Sequence, residues 1–401
     1  MTIVQLNMTS TGSTGRIMLQ LAKIAENKGD TCYTFSPYSD AEKPLSVDTP
    51  HHEFWGGKIT NFLHWSLGVA LGLNGLFSYF STRKLLKKIH ALAPDILHLH
   101  NLHKFCINFP LLFRYIKKHN VKVVWTLHDC WTFTGHCPHF DYINCQKWKT
   151  GCHHCPLYKD YPKSMVDNSK IMWQLKKKWF CDVKDLTIVT PSQWLASLVK
   201  NSFLKDYPVK VIHNGTDLSV FQPCEQNFRK KHGIREDAFV LLGVAFDWGH
   251  RKGLDVFLEL AKRLDDRFRI VLVGTDDQID KQLPPEIISI HRTQDQQELC
   301  DIYSAADILV NPTREDTFPT VNLEALACGT PVLTFRTGGS PETIDETCGS
   351  VVEKEDITGM LQEINRIYQE KPYSPTDCIK RSQEFDMTQR FEEYVRLYHG
   401  E

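Results

Sequence analysis

Apolar positions follow two different spacings along this chain of 401 residues. Short runs rich in Val, Ile, Leu and Phe alternate with longer stretches in which apolar residues recur every three or four positions. The alternation predicts parallel strands connected by helices, as in βαβ units. The predicted strands are residues 3–7, 96–100, 121–127, 186–190, 209–213, 239–245, 269–273, 288–291, 308–310 and 331–335, and predicted helices include 15–28 and 253–264.

The chain length suits two domains of about 150–200 residues each, because larger single cores are uncommon. We therefore predict an α/β protein of two Rossmann-like, doubly wound domains that face a cleft, with ligands at the carboxyl ends of the strands. The first domain is assigned to residues 1–215 and the second to residues 216–385. A helix within residues 386–401 is expected to return to the first domain.

The two predicted domains differ in charge, although the whole chain has a formal net charge of −1. Residues 1–215 contain 26 basic and 14 acidic side chains, a balance of +12, whereas the remainder contains 21 basic and 34 acidic ones, a balance of −13. The first domain can therefore meet an anionic surface, and the second needs locally placed cations to hold an anion. Apolar residues at 42% and charged residues at 24% exclude a disordered or fibrous chain.

An uncharged segment at residues 59–82 precedes a basic run. The segment contains no Asp, Glu, Lys or Arg, but its glycine and asparagine content makes it a poor membrane-spanning helix. Two interpretations are open: a buried or lid helix of the first domain, and a helix that lies in the plane of an anionic membrane. The basic residues that would then meet lipid headgroups are Arg83, Lys84, Lys87 and Lys88.

Cysteine usage favours a cytoplasmic protein, because 13 is an odd number and several cysteines lie singly in apolar runs. A strand is predicted directly at the N-terminus, so we expect no secretory signal. Within residues 130–156, four cysteines lie close together: Cys137, Cys145, Cys152 and Cys155. We predict that their thiolates bind a structural zinc ion, which orders the loop and takes no part in catalysis. The alternatives are a loop of reduced thiols or an iron–sulfur site.

Two loops that follow predicted strands carry candidate binding residues. A turn of small residues around Gly15 opens a helix and presents backbone N–H groups suited to an anion or a sugar. Arg251 and Lys252 precede another helix, where two cations suit a pyrophosphate. The respective alternatives are a plain strand-to-helix turn and a solvated surface pair.

The segment 311–332 is the most informative stretch. A predicted strand leads into a loop with Glu315 and Asp316, and a short helix then begins. Asp316 and Glu324 are therefore expected to face one ligand, together with the backbone N–H groups of the helix start, which include that of Thr317. The alternative is a capped surface helix whose acids are only solvated.

The sequence D-T-F-P-T-V-N-L-E-A-L-A-C-G-T-P-V at residues 316–332 resembles the signature of the retaining, nucleotide-sugar-dependent glycosyltransferases of family 4, which have the two-domain GT-B fold. Segments 190–192, 211–223 and 337–342 also match the family in the expected order, so the resemblance extends over nearly the whole chain. The phrases W-T-L-H-D-C-W-T-F-T-G-H-C and C-Q-K-W-K-T-G-C-H-H-C-P are similar to a subgroup that builds exopolysaccharides such as colanic acid.

The resemblance implies roles for individual residues. Glu324 would bind the ribose hydroxyls, and Asp316, which stands where the family has Glu, would contact the donor sugar with Glu315 beside it. Lys252 would hold the diphosphate, and Arg251 would take the place of an arginine that the family has farther upstream. The remaining expected donor contacts are Gly15, Thr317 and Phe318.

His128 would lie at the reaction centre, at the end of a strand, and is expected to be catalytic together with Asp316. The expected reaction moves a hexose from a UDP- or GDP-sugar to a polyprenyl-diphosphate-linked glycan acceptor with retained configuration, in exopolysaccharide, capsule or O-antigen synthesis. No catalytic metal and no nucleic acid partner are expected, and the protein would be peripheral at the inner face of the plasma membrane. The alternatives are a nucleotide-sugar epimerase of GT-B fold and a non-catalytic, metal-binding scaffold at the membrane.

Overall fold

The chain folds into two compact units, each with one wholly parallel sheet among the described strands. Unit 1 comprises Met1–Ile212 and Phe391–Glu401, and unit 2 comprises His213–Arg390. Alternating strands and helices in both units confirm the predicted Rossmann-like α/β fold class. The computed structural model describes residues 1–38, 51–224 and 227–401.

A seven-stranded sheet forms the centre of unit 1. Its strands are β1 (Thr2–Leu6), β2 (Thr31–Pro37), β3 (His52–Trp55), β4 (Ile96–Leu99), β5 (Lys122–Thr126), β6 (Leu186–Thr190) and β7 (Val209–Val211). Their order is β3-β2-β1-β4-β5-β6-β7, so β4 lies between β1 and β5. Nearly every position of these three central strands is buried, as expected for parallel strands covered on both faces.

The helices of unit 1 are α1 (Gly12–Asn27), α2 (Lys58–Leu71), α3 (Tyr79–Leu92), α4 (Phe109–His119), α5 (Ser169–Phe180) and α6 (Gln193–Lys200). The helix predicted at 15–28 therefore begins one turn earlier, after Thr11, which takes an extended N-cap conformation. Between β5 and α5 the chain forms only short 3-10 turns, at Trp131–Phe133, Asp141–Ile143 and Lys147–Lys149.

Unit 2 contains a six-stranded sheet of order β10-β9-β8-β11-β12-β13. Its strands are β8 (Phe239–Val244), β9 (Phe268–Val273), β10 (Ile287–Ile290), β11 (Ile308–Asn311), β12 (Val332–Phe335) and β13 (Gly349–Val352). The accompanying helices are α7 (Phe228–Lys231), α8 (Leu254–Arg263), α9 (Asp277–Asp280), α10 (Gln296–Ala305), α11 (Thr320–Ala327), α12 (Ile357–Glu370), α13 (Pro375–Ser382) and α14 (Met387–His399), whose last part belongs to unit 1.

All ten predicted strands are present, but the pattern of apolar positions missed β2, β3 and β13. The missed strands are short or carry polar residues at buried positions. In β2, Thr34 and Ser36 are buried because their hydroxyls contact the two ring nitrogens of His52 at 2.9 and 3.2 Å. A buried polar position with a hydrogen-bond partner looks like a loop position in the sequence.

The uncharged segment 59–82 does not form a buried helix, so the prediction of burial was wrong. It forms most of α2 and the start of α3, and only His64, Gly68 and Val69 of α2 are buried. A Cβ at Gly68 would lie 2.5 Å from the Phe105 ring, so α2 packs through a narrow glycine-bearing side and leaves its apolar face outward. The exposed apolar residues are Ile59, Phe62, Leu63, Trp65, Leu67, Leu71, Tyr79 and Phe80. None of the described helices has the length and apolar character needed to cross a membrane.

Candidate active site

A buried arginine fixes the loop that follows β11 in unit 2. Arg314 is 2% exposed, and its guanidinium donates to both carboxylate oxygens of Asp255 at 2.8 Å. It also donates to the Glu355 carboxylate at 2.6 and 2.8 Å. Burial by itself would lower the pKa of Arg314, but the hydrogen bonds and charges of the two carboxylates raise it above its ordinary value. Arg314 is therefore an ionised residue, held by two carboxylates, that fixes the start of the loop.

A short turn after β8 brings two cations to the same loop. His250–Lys252 form a 3-10 turn that ends at Gly253, whose φ is +79°. A Cβ at Gly253 would lie 2.5 Å from the carbonyl oxygen of Pro312, so a glycine is required where the two loops touch. The Arg251 guanidinium donates to the main-chain oxygen of Glu315 at 3.2 Å. Arg251 thus supports the loop after β11.

Lys252 and Asp316 form an ion pair in this loop. The Lys252 Nζ atom donates to Asp316 Oδ2 at 2.6 Å, and the two side chains are 20% and 19% exposed. Asp316 is oriented further, because its Oδ1 accepts the main-chain N–H of Phe318 at 3.2 Å. The main-chain N–H of Gly339 donates to the Asp316 carbonyl oxygen at 3.0 Å. The lysine that the sequence assigns to a diphosphate is therefore held by a carboxylate of the same site.

Three further predicted donor contacts are buried. Glu315 is fully buried, so it offers no second solvent-accessible carboxylate beside Asp316. Thr317 and Phe318 are 9% and 2% exposed, and the Phe318 ring stacks on His213 with the ring centres 4.7 Å apart. A ligand at this loop would therefore meet main-chain groups of these residues rather than the Phe318 ring.

Glu324 lies on α11, the helix that follows the loop, and is partly buried. Its Oε2 atom accepts the Tyr303 hydroxyl at 2.9 Å. Tyr303 is fully buried, and burial together with the Glu324 charge raises the pKa of this phenol well above its ordinary value. Tyr303 is therefore a permanent donor that orients the Glu324 carboxylate. One contact joins Arg251 to Glu315 and another joins Lys252 to Asp316, whereas the Glu324 carboxylate is oriented by Tyr303.

In unit 1, three histidines form a stacked row at the carboxyl ends of β4 and β5. The ring centres of His98 and His100 are 4.1 Å apart, and those of His100 and His128 are 5.4 Å apart with only 11° between the planes. His98 Nε2 contacts Thr126 Oγ1 at 2.8 Å, and its Nδ1 contacts the Tyr398 hydroxyl at 2.6 Å. Because Tyr398 lies on α14, the C-terminal helix closes one end of this histidine row.

The hydrogen bonds of the row indicate which ring nitrogens carry protons. The Gln5 side-chain oxygen accepts from His100 Nε2 at 3.0 Å. A neutral His100 then accepts at Nδ1 from the Nε2–H of His128, 3.1 Å away. Burial lowers the pKa of His128 to about 4, against the opposing charge of Asp129, and burial also lowers the pKa of His100 well below its ordinary value. The row is therefore neutral near pH 7.

Asp129, next to His128 in the chain, is a buried, ionised carboxylate. Burial by itself would raise its pKa, but the charge and hydrogen bond of His103 at 2.9 Å contribute to lowering it to about 2. Asn101 Nδ2 and the main-chain N–H of Trp131 each donate to it at 2.8 Å. Asp129 therefore fixes the start of the cysteine-rich loop and is not a proton donor near pH 7.

Gly15 lies in the first turn of α1, after β1. A Cβ at this position would lie 2.4 Å from the carbonyl carbon of Ser10, so the close approach of helix and loop requires a glycine. Gly15 and His128 thus both follow central strands of the unit 1 sheet, whereas all the other predicted donor and catalytic residues belong to unit 2.

Sequence reasoning missed four residues that position the site: Gln5, His100, Tyr303 and Arg314. The alternation L-H-L-H at 97–100 is a signal for the histidines, because residues two apart share a face of a strand. Within the described ranges, one set of three metal-ligand atoms lies within 4.8 Å, namely Asp277, Asp280 and His291. It is a largely exposed acidic group, and we assign it no role.

The two Rossmann-like units, each built on one parallel sheet, are the architecture of the GT-B class of glycosyltransferases. Over 100% of this chain the fold matches sucrose-phosphate synthase from Thermosynechococcus elongatus, with a TM-score of 0.74, 18% identity and 98% of that chain covered. It also matches Anabaena HepE in complex with UDP-glucose, with a TM-score of 0.70, 14% identity and all of both chains covered.

Residues 14–220 match the family described as Glycosyltransferase Family 4, and residues 237–370 match the one described as Glycosyl transferases group 1. The chain belongs to glycosyltransferase family 4, which confirms the resemblance seen in the sequence. Among its relatives is a protein named as the colanic acid biosynthesis glycosyl transferase WcaC of Escherichia coli K12. It is 26% identical over 318 residues, which cover 76% of each chain.

Proposed function

We propose that this glycosyltransferase moves a hexose from a UDP- or GDP-sugar to a polyprenyl-diphosphate-linked glycan, with retained configuration, in the synthesis of a cell-surface polysaccharide. The observation that carries the donor assignment is the Lys252–Asp316 ion pair at the end of β11, directly before the helix that bears Glu324. The name of WcaC supports a polysaccharide product, and the UDP-glucose complex of HepE makes UDP-glucose the first donor to test.

On donor binding, a diphosphate oxygen replaces the Asp316 carboxylate at the Lys252 ammonium. Lys252 then stabilises the charge that develops on the leaving diphosphate. Asp316, released from the ion pair, accepts hydroxyl groups of the donor sugar, and Glu324, oriented by Tyr303, accepts the ribose hydroxyls. Arg314 holds the loop, and Arg251, which supports the loop through the Glu315 main chain, lies beside Lys252 as a second cation for the diphosphate.

The neutral His128 ring orients the acceptor and the transferred sugar without adding a charge. Its proton is held on Nε2 by His100, so the ring keeps one fixed protonation state. As the family resemblance implies, the departing phosphate oxygen takes the acceptor proton on the face that it leaves, which retains the configuration. No covalent enzyme intermediate is needed.

A transfer assay tests this function. The purified protein is incubated with UDP-glucose, other UDP-sugars and GDP-sugars, together with an undecaprenyl-diphosphate-linked glycan. We expect nucleoside diphosphate release that depends on the acceptor, and a product whose anomeric proton shows the donor configuration by NMR. Glu324→Gln should abolish release, while Glu346→Gln, an exposed glutamate of the same unit, should not. Interconversion of the donor without an acceptor, or an inverted product, would refute the proposal.

The acceptor lipid also accounts for the outward face of α2. Its apolar side chains, followed by the exposed Arg83, Lys84 and Lys87 of α3, suit insertion at the surface of an anionic membrane. Flotation with phosphatidylglycerol vesicles should recover the protein at low salt, and phosphatidylcholine vesicles should not. Phe62→Ser with Trp65→Ser should lower recovery several-fold, whereas Phe246→Ser, an exposed residue of unit 2, should leave it unchanged. Equal recovery of all variants would contradict membrane binding.

A further inference from the structure

The loop between β5 and α5, called the cysteine loop and comprising residues 127–168, is long and contains neither strand nor α-helix. Its 3-10 turns provide few backbone hydrogen bonds, and long loops of this kind need other contacts to hold one conformation. Three aromatic residues of the loop itself pack together: Phe133, Phe140 and Trp148 lie with ring centres 5.2 to 6.4 Å apart. Phe140 and Trp148 of this group line one cavity together with the four clustered cysteines.

All four cysteines line one small cavity, although they are spread over nineteen positions of the sequence. They are thiols, and no disulfide joins them. The main-chain N–H of Gly135 donates to the Cys152 sulfur at 3.1 Å, the kind of contact that stabilises a thiolate. A Cβ at Gly135 would lie 2.7 Å from the Cβ of Cys152, so this approach requires a glycine.

A buried cation lies beside the cavity. Lys176 of α5 is fully buried, and its ammonium donates to the carbonyl oxygens of Trp131 and Thr134 at 2.7 and 3.0 Å. The ammonium also lies 3.2 Å from the centre of the Trp131 ring. These partners are uncharged. The Cys152 and Cys137 thiols and the Asp129 carboxylate lie close enough to interact electrostatically with this side chain. A buried ammonium beside a thiol cluster is stabilised when the thiols carry negative charge.

We propose that Cys137, Cys145, Cys152 and Cys155 bind one structural zinc ion, whose four-thiolate site carries a formal charge of −2 that Lys176 partly balances. Zinc suits a site of four thiolates, and a complete set of protein ligands makes it structural rather than catalytic. Sulfur atoms around zinc lie about 3.8 Å apart, from a Zn–S distance of about 2.3 Å. Among the described residues, which include these cysteines, no three sulfurs lie within 4.8 Å of one another. Zinc would therefore turn the side chains inward and tighten the loop.

The site has a consequence for the reaction centre. The cysteine loop begins at the end of β5, where His128 and Asp129 lie, and the main-chain N–H of Cys130 donates to Pro138 within the same loop at 3.0 Å. A zinc ion would hold this start of the loop in place. We therefore expect zinc removal to destabilise unit 1 and to leave nucleoside diphosphate binding by the residues of unit 2 largely unchanged.

Elemental analysis of protein purified without chelators tests the proposal. We expect about one zinc per chain, retained in Cys181→Ser, whose partly buried cysteine lies in the same unit, and lost in Cys152→Ser with Cys155→Ser. If the double variant does not fold, titration of the unmodified protein with a mercurial should release one zinc as about four thiols react. Metal-free protein, iron in place of zinc, or a disulfide between any of the four cysteines would overturn the proposal.

Discussion

The candidate site residues of the two units differ in their charge state. In unit 2 the groups are ionised and paired with an opposite charge or a permanent donor, as in Lys252 with Asp316 and Tyr303 with Glu324. In unit 1 the histidine row is neutral, because burial lowers the pKa values of its rings and hydrogen bonds fix their protons. The ionised groups of unit 2 suit the binding of a diphosphate, and the neutral histidines of unit 1 suit the orientation of an uncharged hydroxyl. The net charges of the two predicted domains show the reverse. The first domain, which contains the neutral histidine row, has a net charge of +12, and the second domain, which contains Lys252, has a net charge of −13.

The largest effect is expected for the diphosphate contact. Lys252→Ala should lower sugar transfer about 100- to 1,000-fold, the usual cost of removing one donor to a developing negative charge. The matched control is Lys262→Ala, since Lys262 is 71% exposed on α8 of the same unit. Steady-state rates of UDP release measure both variants. A Lys252→Ala enzyme with more than a tenth of the normal rate would remove this residue from the mechanism.

The histidine row predicts a smaller effect in unit 1. His100→Phe keeps a stacking ring but loses the acceptor for the His128 proton, so kcat should fall about ten-fold, the equivalent of one hydrogen bond of about 1.4 kcal/mol. The donor KM should not change, because Lys252, Asp316 and Glu324, which are proposed to hold the donor, lie in unit 2. His100→Asn, whose side-chain oxygen can accept, should recover part of the loss. An equal loss in both variants would indicate a purely structural role.

The ion pair predicts an effect of opposite sign on binding and on catalysis. Asp316→Asn removes the carboxylate that competes with a diphosphate for Lys252, so UDP affinity should rise about two- to five-fold, the value of a partly exposed ion pair. Sugar transfer should fall in the same variant. Calorimetric titration with UDP measures the affinity, and unchanged or weaker binding would show that Asp316 does not compete with the ligand.

The neutral histidines also predict a pH dependence of stability. Burial lowers the pKa of His64 and His98 to about 3 and that of His128 to about 4. Between pH 6.5 and pH 4 the unfolded chain therefore binds more protons than the folded chain. As the pH is lowered through this range, the free energy of unfolding should therefore fall by up to about 1.4 kcal/mol per pH unit for each histidine. Thermal unfolding followed by circular dichroism from pH 7 to pH 4 measures this, and a constant Tm would contradict neutral burial.

Sequence reasoning succeeded where one local stretch carries both the element and the chemistry. Residues 316–332 contain the loop, α11 and the start of β12, so their pattern predicted both the elements and the candidate residues there. It failed where the partners come from distant strands. Gln5 and His100 meet because β1 pairs with β4, and Arg314 meets Glu355 across unit 2. For segment 59–82 the sequence left a buried or lid helix and a helix in the membrane plane both open, because the apolar pattern alone does not determine which side of a helix packs against the protein.

The central claim is that unit 2 binds the donor nucleotide and that unit 1 supplies the histidine of the reaction centre. Measuring nucleoside diphosphate binding and sugar transfer in the same variants tests this claim most directly. UDP and GDP are titrated into the unmodified protein, Glu324→Gln and His128→Ala, and each variant is assayed for transfer. We predict that Glu324→Gln binds about 10- to 100-fold more weakly, the loss of hydrogen bonds to a charged group, and that His128→Ala binds within about two-fold of normal. Transfer should be lost in both variants. Loss of binding in His128→Ala with normal binding in Glu324→Gln would contradict the account.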